Sequence, residues 1–345
     1  MPRAIAVLAA FAMLALAAPL AAQDRVFKPI VIYQGDVRAN AYNQAIHQGV
    51  TRFVEKTGDP CVEREAGGGA AGYKAALEQA ASEGYNPVVV IYGDNIGDDL
   101  PFIRSHPQTR FIAFGARIDE PNITALDFAE HEGAFLAGAL AAMVSKSKVI
   151  GFIAVNGQPL FRRFACGYEQ GARYADPEIR VLTGFLGDYQ NAWFDKTGAA
   201  NLADALMDQG ADVIFQAAGG AGLGVLDACA ARGRLAIGVD VNQNGAHPGN
   251  VLTSMIKKTD LVVYAALMQA KRDIWRDNMK TFGLAQDAVG LVFDENNASL
   301  VTEDMIKRLD ALRCGVIVGK IKVRDYVKEN ACPMPDDRSW PSLAP

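Results

Sequence analysis

Charged, amide and glycine residues stand just after several short apolar runs of this sequence. Asp36, Asp240 and Lys257 each follow such a run, Asn43 lies shortly after Asp36, and residues 217–224 form a glycine-rich turn. A carboxylate can accept two hydrogen bonds from a vicinal diol such as ribose. Glycines let the backbone approach a ligand closely and leave N–H groups able to donate. These residues predict a binding site for a polar small molecule if the fold brings them together.

The glycine turn also resembles part of a dinucleotide-binding fingerprint, because Asp240 lies about twenty residues beyond Gly220. That fingerprint would need a third glycine at position 225, where the chain has valine. We therefore favour direct backbone contact with a ligand at Ala218, Gly219 and Gly220. A tight turn without any ligand role is the structural alternative.

Three aromatic residues, Tyr42, Trp193 and Phe215, are candidates to stack on a flat ligand. Each could instead be an ordinary core aromatic. The charged candidates also have simpler interpretations, a helix cap or surface charge for Asp240 and a solvated charge for Lys257, which precedes Lys258.

The residue patterns of common catalytic sites do not occur in the sequence. There is no Gly-x-Ser-x-Gly elbow and no Gly-Lys-Ser/Thr phosphate loop. The four histidines lack metal-ligand spacing; they are His47, His106, His131 and His247. We expect no catalytic residue, no metal site and no cofactor. Carboxylates are numerous, so an exported nucleoside or sugar hydrolase that uses cleft carboxylates remains an alternative.

Short apolar runs alternate with helical patterns along the chain, which predicts parallel sheets covered by helices on both faces. The strand series restarts near Ser145, and this favours two similar α/β lobes whose strand ends face a shared cleft. The predicted strands are Ile30–Tyr33, Val88–Tyr92, Phe111–Phe114, Ile123–Leu126, Val149–Ala154, Val181–Phe185, Val213–Gln216, Leu235–Val239 and Val251–Met255. The predicted helices are Tyr42–Lys56, Tyr73–Glu83, Gly133–Ser145, Phe161–Tyr174, Lys196–Gln209 and Leu223–Arg232.

Length and charge limit the class of protein. The chain has 345 residues, half of them apolar, which suits two domains better than one. The net charge is −5 without a block of lysines and arginines, so nucleic acids and anionic membrane surfaces are not expected partners.

The N-terminus has the layout of a cleavable signal peptide. Arg3 precedes an apolar run from Ala4 to Leu20, and the small residues Ala21 and Ala22 follow. A membrane anchor is the alternative, because the run is almost long enough to span a bilayer. No cysteine stands near the cleavage point to carry a lipid. We expect residues 1–22 to be removed, giving a freely diffusing periplasmic protein.

The five cysteines contain no Cys-x-x-Cys pair. Export permits a disulfide, and Cys332 could pair with Cys314 or Cys61. Cys166 and Cys229 lie in helical patterns and are expected to be small buried residues.

Several segments together resemble the basic membrane protein (BMP) family of substrate-binding proteins, the purine nucleoside receptor group of ABC importers. The resemblance extends from about Ile30 to Tyr326. The segments that carry it are Tyr42–Gly49, Glu132–Gly138, Phe164–Tyr168, Gly210–Gly220, Ile237–Asp240 and Pro248–Lys257.

The resemblance implies the type I periplasmic-binding fold, an α/β fold in which two Rossmann-like lobes enclose a central cleft. We expect crossings near Phe128, Gly249 and Met279. Lobe 1 would then comprise residues 27–127 and 250–279, lobe 2 residues 128–249 and 280–325, and the C-terminal tail residues 326–345.

The resemblance also assigns roles to residues. It implies that Tyr42 stacks on a base, that Asp240 and Lys257 bind ribose, and that the backbone at residues 218–220 lines the pocket. Family members usually carry an aspartate where this chain has Gly115, so the ligand is expected to differ from purine nucleosides recognised through that aspartate. Asp36 also stands farther from the first motif than the family's aspartate.

The implied function is capture of a nucleoside-like molecule by a monomeric protein that delivers it to the permease and ATPase subunits of an importer. A ligand-sensing subunit of a signalling receptor would have the same fold and cleft, and sequence does not separate the two.

Overall fold

The computed structural model describes residues 26–38, 40–67, 69–91, 97–188, 191–275 and 280–332. The predicted signal peptide, the predicted crossing at Met279 and the tail beyond Cys332 lie outside these residues. Within them, no helix has both the length and the apolar character that crossing a bilayer requires.

Buried strands alternate with helices, and every predicted strand and helix is present with its ends within four residues of the predicted ones. The strands are β1 (Ile30–Gln34), β2 (Val62–Ala66), β3 (Val88–Val90), β4 (Phe111–Phe114), β5 (Ile123–Phe128), β6 (Val149–Ala154), β7 (Arg180–Phe185), β8 (Val213–Ala217), β9 (Leu235–Asp240), β10 (Val251–Lys257), β11 (Lys280–Phe282) and β12 (Val289–Leu291). The helices are α1 (Ala41–Thr57), α2 (Gly69–Ser82), α3 (Leu100–Ser105), α4 (Glu130–Val144), α5 (Pro159–Ala175), α6 (Lys196–Asp208), α7 (Gly222–Ala231), α8 (Thr259–Lys271), α9 (Glu303–Ile317) and α10 (Tyr326–Glu329).

The strands of the described residues form two sheets, one in each lobe. The first has the order β11-β5-β4-β3-β1-β2 and the second the order β12-β10-β9-β8-β6-β7. All pairs are parallel except β12 with β10. Because a parallel sheet is covered on both faces, its central strands are almost entirely apolar and buried, as in β1, β4 and β8.

The later lobe boundaries differ from the predicted ones. β10 falls in the range predicted for lobe 1 but pairs with β9 in the second sheet, and β11 falls in the range predicted for lobe 2 but pairs with β5 in the first. β10 is an apolar strand that buries its side chains beside β9, so the chain crosses only after it ends. The crossings therefore lie at Phe128–Glu130, Lys257–Lys258 and Phe282–Leu284.

Two segments of the family resemblance pack α4 against α5. A Cβ atom at Gly138 would lie 1.9 Å from the Tyr168 carbonyl oxygen, and one at Gly171 would lie 1.8 Å from the Phe135 carbonyl oxygen. The two helix backbones can approach this closely only where side chains are absent. This close packing makes the α4–α5 pair a rigid base beneath the cleft.

A disulfide joins Cys166 on α5 to Cys332. The predicted partners of Cys332, Cys314 and Cys61, are free, so the pairing predicted from sequence is wrong. Gln170, one helical turn after Cys166, holds the same C-terminal segment by donating to the Arg324 carbonyl and accepting from the Arg324 N–H. Cys229 is a buried free thiol, as predicted.

Candidate functional site

The strand ends of the two lobes meet at one cleft. The Cα atoms of α1 in lobe 1 come within 8 Å of those of the Gly219–Ala221 turn in lobe 2. Across the same gap, the Lys257 Nζ atom of lobe 2 lies 4.9 Å from the ring centre of Tyr42 in lobe 1. The fold thus brings together predicted site residues that are more than two hundred positions apart in sequence.

Lys257 is the centre of this arrangement. Its side chain is 8% exposed, and its Nζ atom lies 3.3 Å from Asp240 Oδ1 and 3.5 Å from Glu130 Oε1. The rings of Phe128 and Phe164 lie 5.6 and 5.7 Å from Nζ. An ammonium held between two carboxylates and aromatic faces has few orientations, so its N–H donors are directed before a ligand arrives.

Asp240 ends β9, as predicted, and its backbone is unusual. Its φ of +67° lies in the left-handed region, which aspartate tolerates better than most residues. In the register of the second sheet Asp240 lies beside Ile256, next to Lys257. This backbone conformation costs free energy and brings the carboxylate to the ammonium group, which is typical of functional sites.

The glycine turn after β8 is fixed by side chains on both sides. Gln216 Oε1 accepts from the Ala218 N–H, and Gln216 Nε2 donates to Gln243 Oε1. Gly219 has a φ of +57°, and a Cβ atom there would lie 2.9 Å from the Trp193 ring. Glycine is therefore required both by the backbone conformation and by the indole that covers the turn. Ala218 is fully buried, backbone included, and its N–H already donates to Gln216, so its ligand role stays a prediction.

Trp193 presents part of its ring to solvent beside this turn. Its side chain is 40% exposed and packs on Phe161 with ring centres 5.6 Å apart. The next residue, Phe194, is 55% exposed and was not predicted. Adjacent exposed aromatics at a cleft rim are suited to cover a flat ligand when the lobes close.

The lobe 1 residues of the first motif have different roles. The Tyr42 hydroxyl donates to the Ile91 carbonyl oxygen at 3.3 Å, which fixes the ring under Lys257. Asp36 is exposed, and its Oδ1 accepts from the Arg38 N–H. Asn43 is fully buried, and its Nδ2 donates to the Asp36 carbonyl oxygen. Asn43 thus helps to hold the β1–α1 loop, and its ligand role stays a prediction.

Phe215 lies in the core of lobe 2. Its ring is fully buried, with ring centres 5.5 Å from Phe152, 6.2 Å from Phe164 and 5.4 Å from Tyr168. Side chains alternate along a strand, and β8 directs this ring toward α5 and away from the cleft. The ligand-binding role predicted for Phe215 is corrected to core packing.

A buried charge network lies behind Lys257 and was missed by sequence analysis. Arg163, only 1% exposed, donates to both oxygens of Asp127 and to both of Asp325 at 2.8–3.1 Å. It also donates to Glu130 Oε2 at 2.7 Å. Arg117 of lobe 1 reaches Asp127 at 2.7 Å and Asp325 at 3.3 Å. The network joins the two lobes at their crossings.

His131 is buried beside this network. Burial lowers its pKa to about 4, and the nearby cations Lys328 and Arg117 act in the same direction, whereas Asp325 opposes them. The folded state thus holds a neutral imidazole, whose ordinary pKa in the unfolded chain is about 6.5. The folded state consequently binds fewer protons than the unfolded state between these two values.

We expect His131 to make unfolding pH-dependent. The part of the free energy of unfolding that depends on His131 is fully present above about pH 6.5 and is lost as the pH falls toward 4. The loss between pH 7 and pH 5 amounts to about 1–2 kcal/mol. Urea unfolding of the wild type and of His131→Leu at both pH values measures it. The variant should lose less stability than the wild type over this interval; equal losses would contradict the assignment.

The chain matches the family model of PnrA-like ABC transporter substrate-binding proteins over residues 28–325. Among curated relatives, it is 34% identical over 206 residues to basic membrane protein D of Borreliella burgdorferi, a stretch that covers 59% of each chain. It is 27% identical over 313 residues to the CD4+ T-cell-stimulating antigen of Listeria monocytogenes, covering 84% of this chain and 85% of the relative.

Solved structures resemble the fold at low sequence identity. A solute-binding protein of an ABC transporter system from Aeropyrum pernix superimposes with a TM-score of 0.76 at 20% identity, covering 91% of this chain and 95% of the other. A transcriptional activator of the comK gene from Bacillus halodurans gives 0.71 at 18% identity, covering 86% and 100%. These likenesses confirm the predicted type I periplasmic-binding fold.

Proposed function

The chain belongs to the family of PnrA-like ABC transporter substrate-binding proteins, and we propose that it captures a nucleoside-like small molecule between its lobes and delivers it to a membrane permease. The observation that carries this proposal is the Asp240–Lys257 pair at 3.3 Å, placed across the cleft from the ring of Tyr42. A charged pair beside an aromatic ring matches a ligand that joins a diol to a flat heterocycle.

Each half of such a ligand finds complementary groups. The Asp240 carboxylate can accept from two vicinal hydroxyls while the Lys257 ammonium donates to one of them. Tyr42 from lobe 1 and Trp193 from lobe 2 offer ring faces to the heterocycle. The backbone at Gly219 and Gly220 approaches from lobe 2, and Asp36 stands at the rim of lobe 1. Ligand contacts from both lobes would stabilise the closed form that a permease recognises.

Recognition of the base should be weak relative to recognition of the sugar. Gly115 follows β4 and has no side chain, at a position where relatives are expected to carry a carboxylate that recognises the base. The Asp240–Lys257 pair, in contrast, can bind the ribose hydroxyls whichever heterocycle is attached to them. We therefore propose a receptor whose affinity depends chiefly on the ribose.

The proposed location is the periplasm. It is supported by the signal-like sequence Arg3–Ala22 and by the membership of a family that serves ABC transporters.

We expect ribonucleosides to bind and their ribose-lacking bases to bind about a hundredfold more weakly, because hydrogen bonds to both Asp240 and Lys257 are lost and each costs roughly 1.5 kcal/mol or more. Titration calorimetry with adenosine, guanosine, uridine, cytidine and the free bases measures this, after denaturation and refolding to remove any co-purified ligand. Mass spectrometry of the released material identifies what the protein carries from its own cells.

Three outcomes would contradict this proposal. Binding restricted to purine nucleosides would mean that another group replaces the carboxylate absent at Gly115. If chromatography detects free base after the protein is incubated with nucleosides, the protein would instead be a hydrolase. Binding of none of these compounds would remove the nucleoside from the proposal.

A further inference from the structure

We propose that Glu130 is a positioning residue, which fixes the Lys257 ammonium in the orientation that the ligand requires. This inference rests on the proposed function of the cleft. The side chain of Glu130 is 4% exposed, and its carboxylate lies beside Lys257, as does that of Asp240.

The two oxygens of Glu130 serve different cations. Oε1 lies 3.5 Å from Lys257 Nζ, and Oε2 accepts from Arg163 Nη1 at 2.7 Å. Arg163 is itself clamped by bidentate contacts with Asp127 and Asp325. Glu130 is thus held on one side by the rigid, buried Arg163. On the other side it can fix Lys257, which is more exposed.

An ammonium group has three donors, and their directions decide what Lys257 can do. With Glu130 and Asp240 on two sides and the Tyr42 ring 4.9 Å away on another, the ammonium group is held where the two lobes meet. Without Glu130, the pairing of Lys257 with Asp240 would become closer. The Asp240 carboxylate would then be less able to accept from ligand hydroxyls, because its charge would be more fully neutralised.

The position of Glu130 in the chain suits this role. It is the first residue of α4, directly after the first crossing, and Lys257 ends β10 directly before the second. Glu132, two residues further along, accepts at Oε2 from the Leu284 N–H just after the third crossing. Since lobes rotate about their crossings, groups located there move least during closure. Glu130 can therefore hold the Lys257 ammonium group in the same orientation in the open and the closed form.

A double-mutant cycle tests whether Glu130 acts through Lys257. We expect Glu130→Gln to weaken uridine binding about tenfold in calorimetry, and Lys257→Met to weaken it at least as much. In the Lys257→Met protein, Glu130→Gln should change the affinity by less than about twofold, because the group that it positions is gone. Glu132→Gln is the matched control: it removes a carboxylate from the same helical turn without touching Lys257, and the affinity should stay within about twofold of the wild type.

If Glu130→Gln lowers the affinity equally in the wild type and in the Lys257→Met protein, the proposal is wrong. The role of Glu130 would then be to hold Arg163. If Glu130→Gln fails to fold, Glu130→Asp replaces it, since it keeps a negative charge in the network but draws the carboxylate back by about one C–C bond. The same cycle measured by urea unfolding needs no ligand. If the wild type binds no nucleoside, the proposed function fails, whereas non-additive unfolding effects would still support the positioning role and additive ones would overturn it.

Discussion

Replacing Arg163 by methionine should lower the free energy of unfolding by about 3–5 kcal/mol, because breaking a buried ion pair from one side leaves charge without compensation. Arg163 is among the largest fully buried side chains of the described residues and contacts Asp127, Glu130 and Asp325. Methionine fills much of the volume but offers no donor. Arg117 and Lys257 would remain beside these carboxylates, at distances of 2.7–3.5 Å, which keeps the expected loss within this range.

The matched control is Arg173→Met on the same helix. Arg173 is 40% exposed and pairs with Glu169 one turn away, so its loss should cost less than about 1 kcal/mol. Urea unfolding at pH 7 measures both variants. A loss for Arg163→Met as small as that for the control would mean that the network contributes specificity of structure and little stability.

The residues of this network show what sequence could not provide. Arg163 lies inside a correctly predicted helix, but its partners Asp127 and Asp325 stand 36 and 162 positions away. A charged residue in a helical pattern is usually solvated, and nothing local marks this one as buried. The same reason explains the disulfide, because Cys166 meets Cys332 only after the C-terminal segment has folded back over α5.

The fold itself was predictable because its signal is local and repeated. Runs such as Phe111–Phe114 are apolar throughout and become central strands. β2 was missed because its sequence, with Glu63, Arg64 and Glu65, belongs to an edge strand that exposes polar side chains.

The site was predicted in part, for a geometric reason. A residue that follows a strand must lie at the carboxyl edge of the sheet, so position alone predicted that Asp240 and Lys257 would lie at the cleft. A residue within a strand or helix can face either side, and Phe215 and Asn43 turned out to face the interior. Sequence analysis did not single out Glu130, because it begins a helix, where an acidic residue has an ordinary role beside the helix dipole.

Replacing Asp240 by alanine should weaken ligand binding by about 2–4 kcal/mol, roughly thirty- to a thousand-fold. The change removes the acceptor proposed for the ligand hydroxyls and leaves Lys257 with Glu130 as its remaining carboxylate partner at 3.5 Å. The fold should survive, because the Asp240 side chain lies at the cleft, 17% exposed. Calorimetry with the ribonucleoside that binds the wild type most tightly gives the affinity, and thermal unfolding gives the stability.

The backbone at position 240 supplies the control. Alanine at a φ of +67° is strained, whereas glycine adopts this conformation freely. If the carboxylate matters for binding, Asp240→Ala and Asp240→Gly should lose affinity to a similar extent, and the alanine protein alone should melt at a lower temperature. Should Asp240→Gly keep the wild-type affinity, the aspartate would be there for its backbone, and the hydroxyl-binding role would pass to Lys257 and the glycine turn.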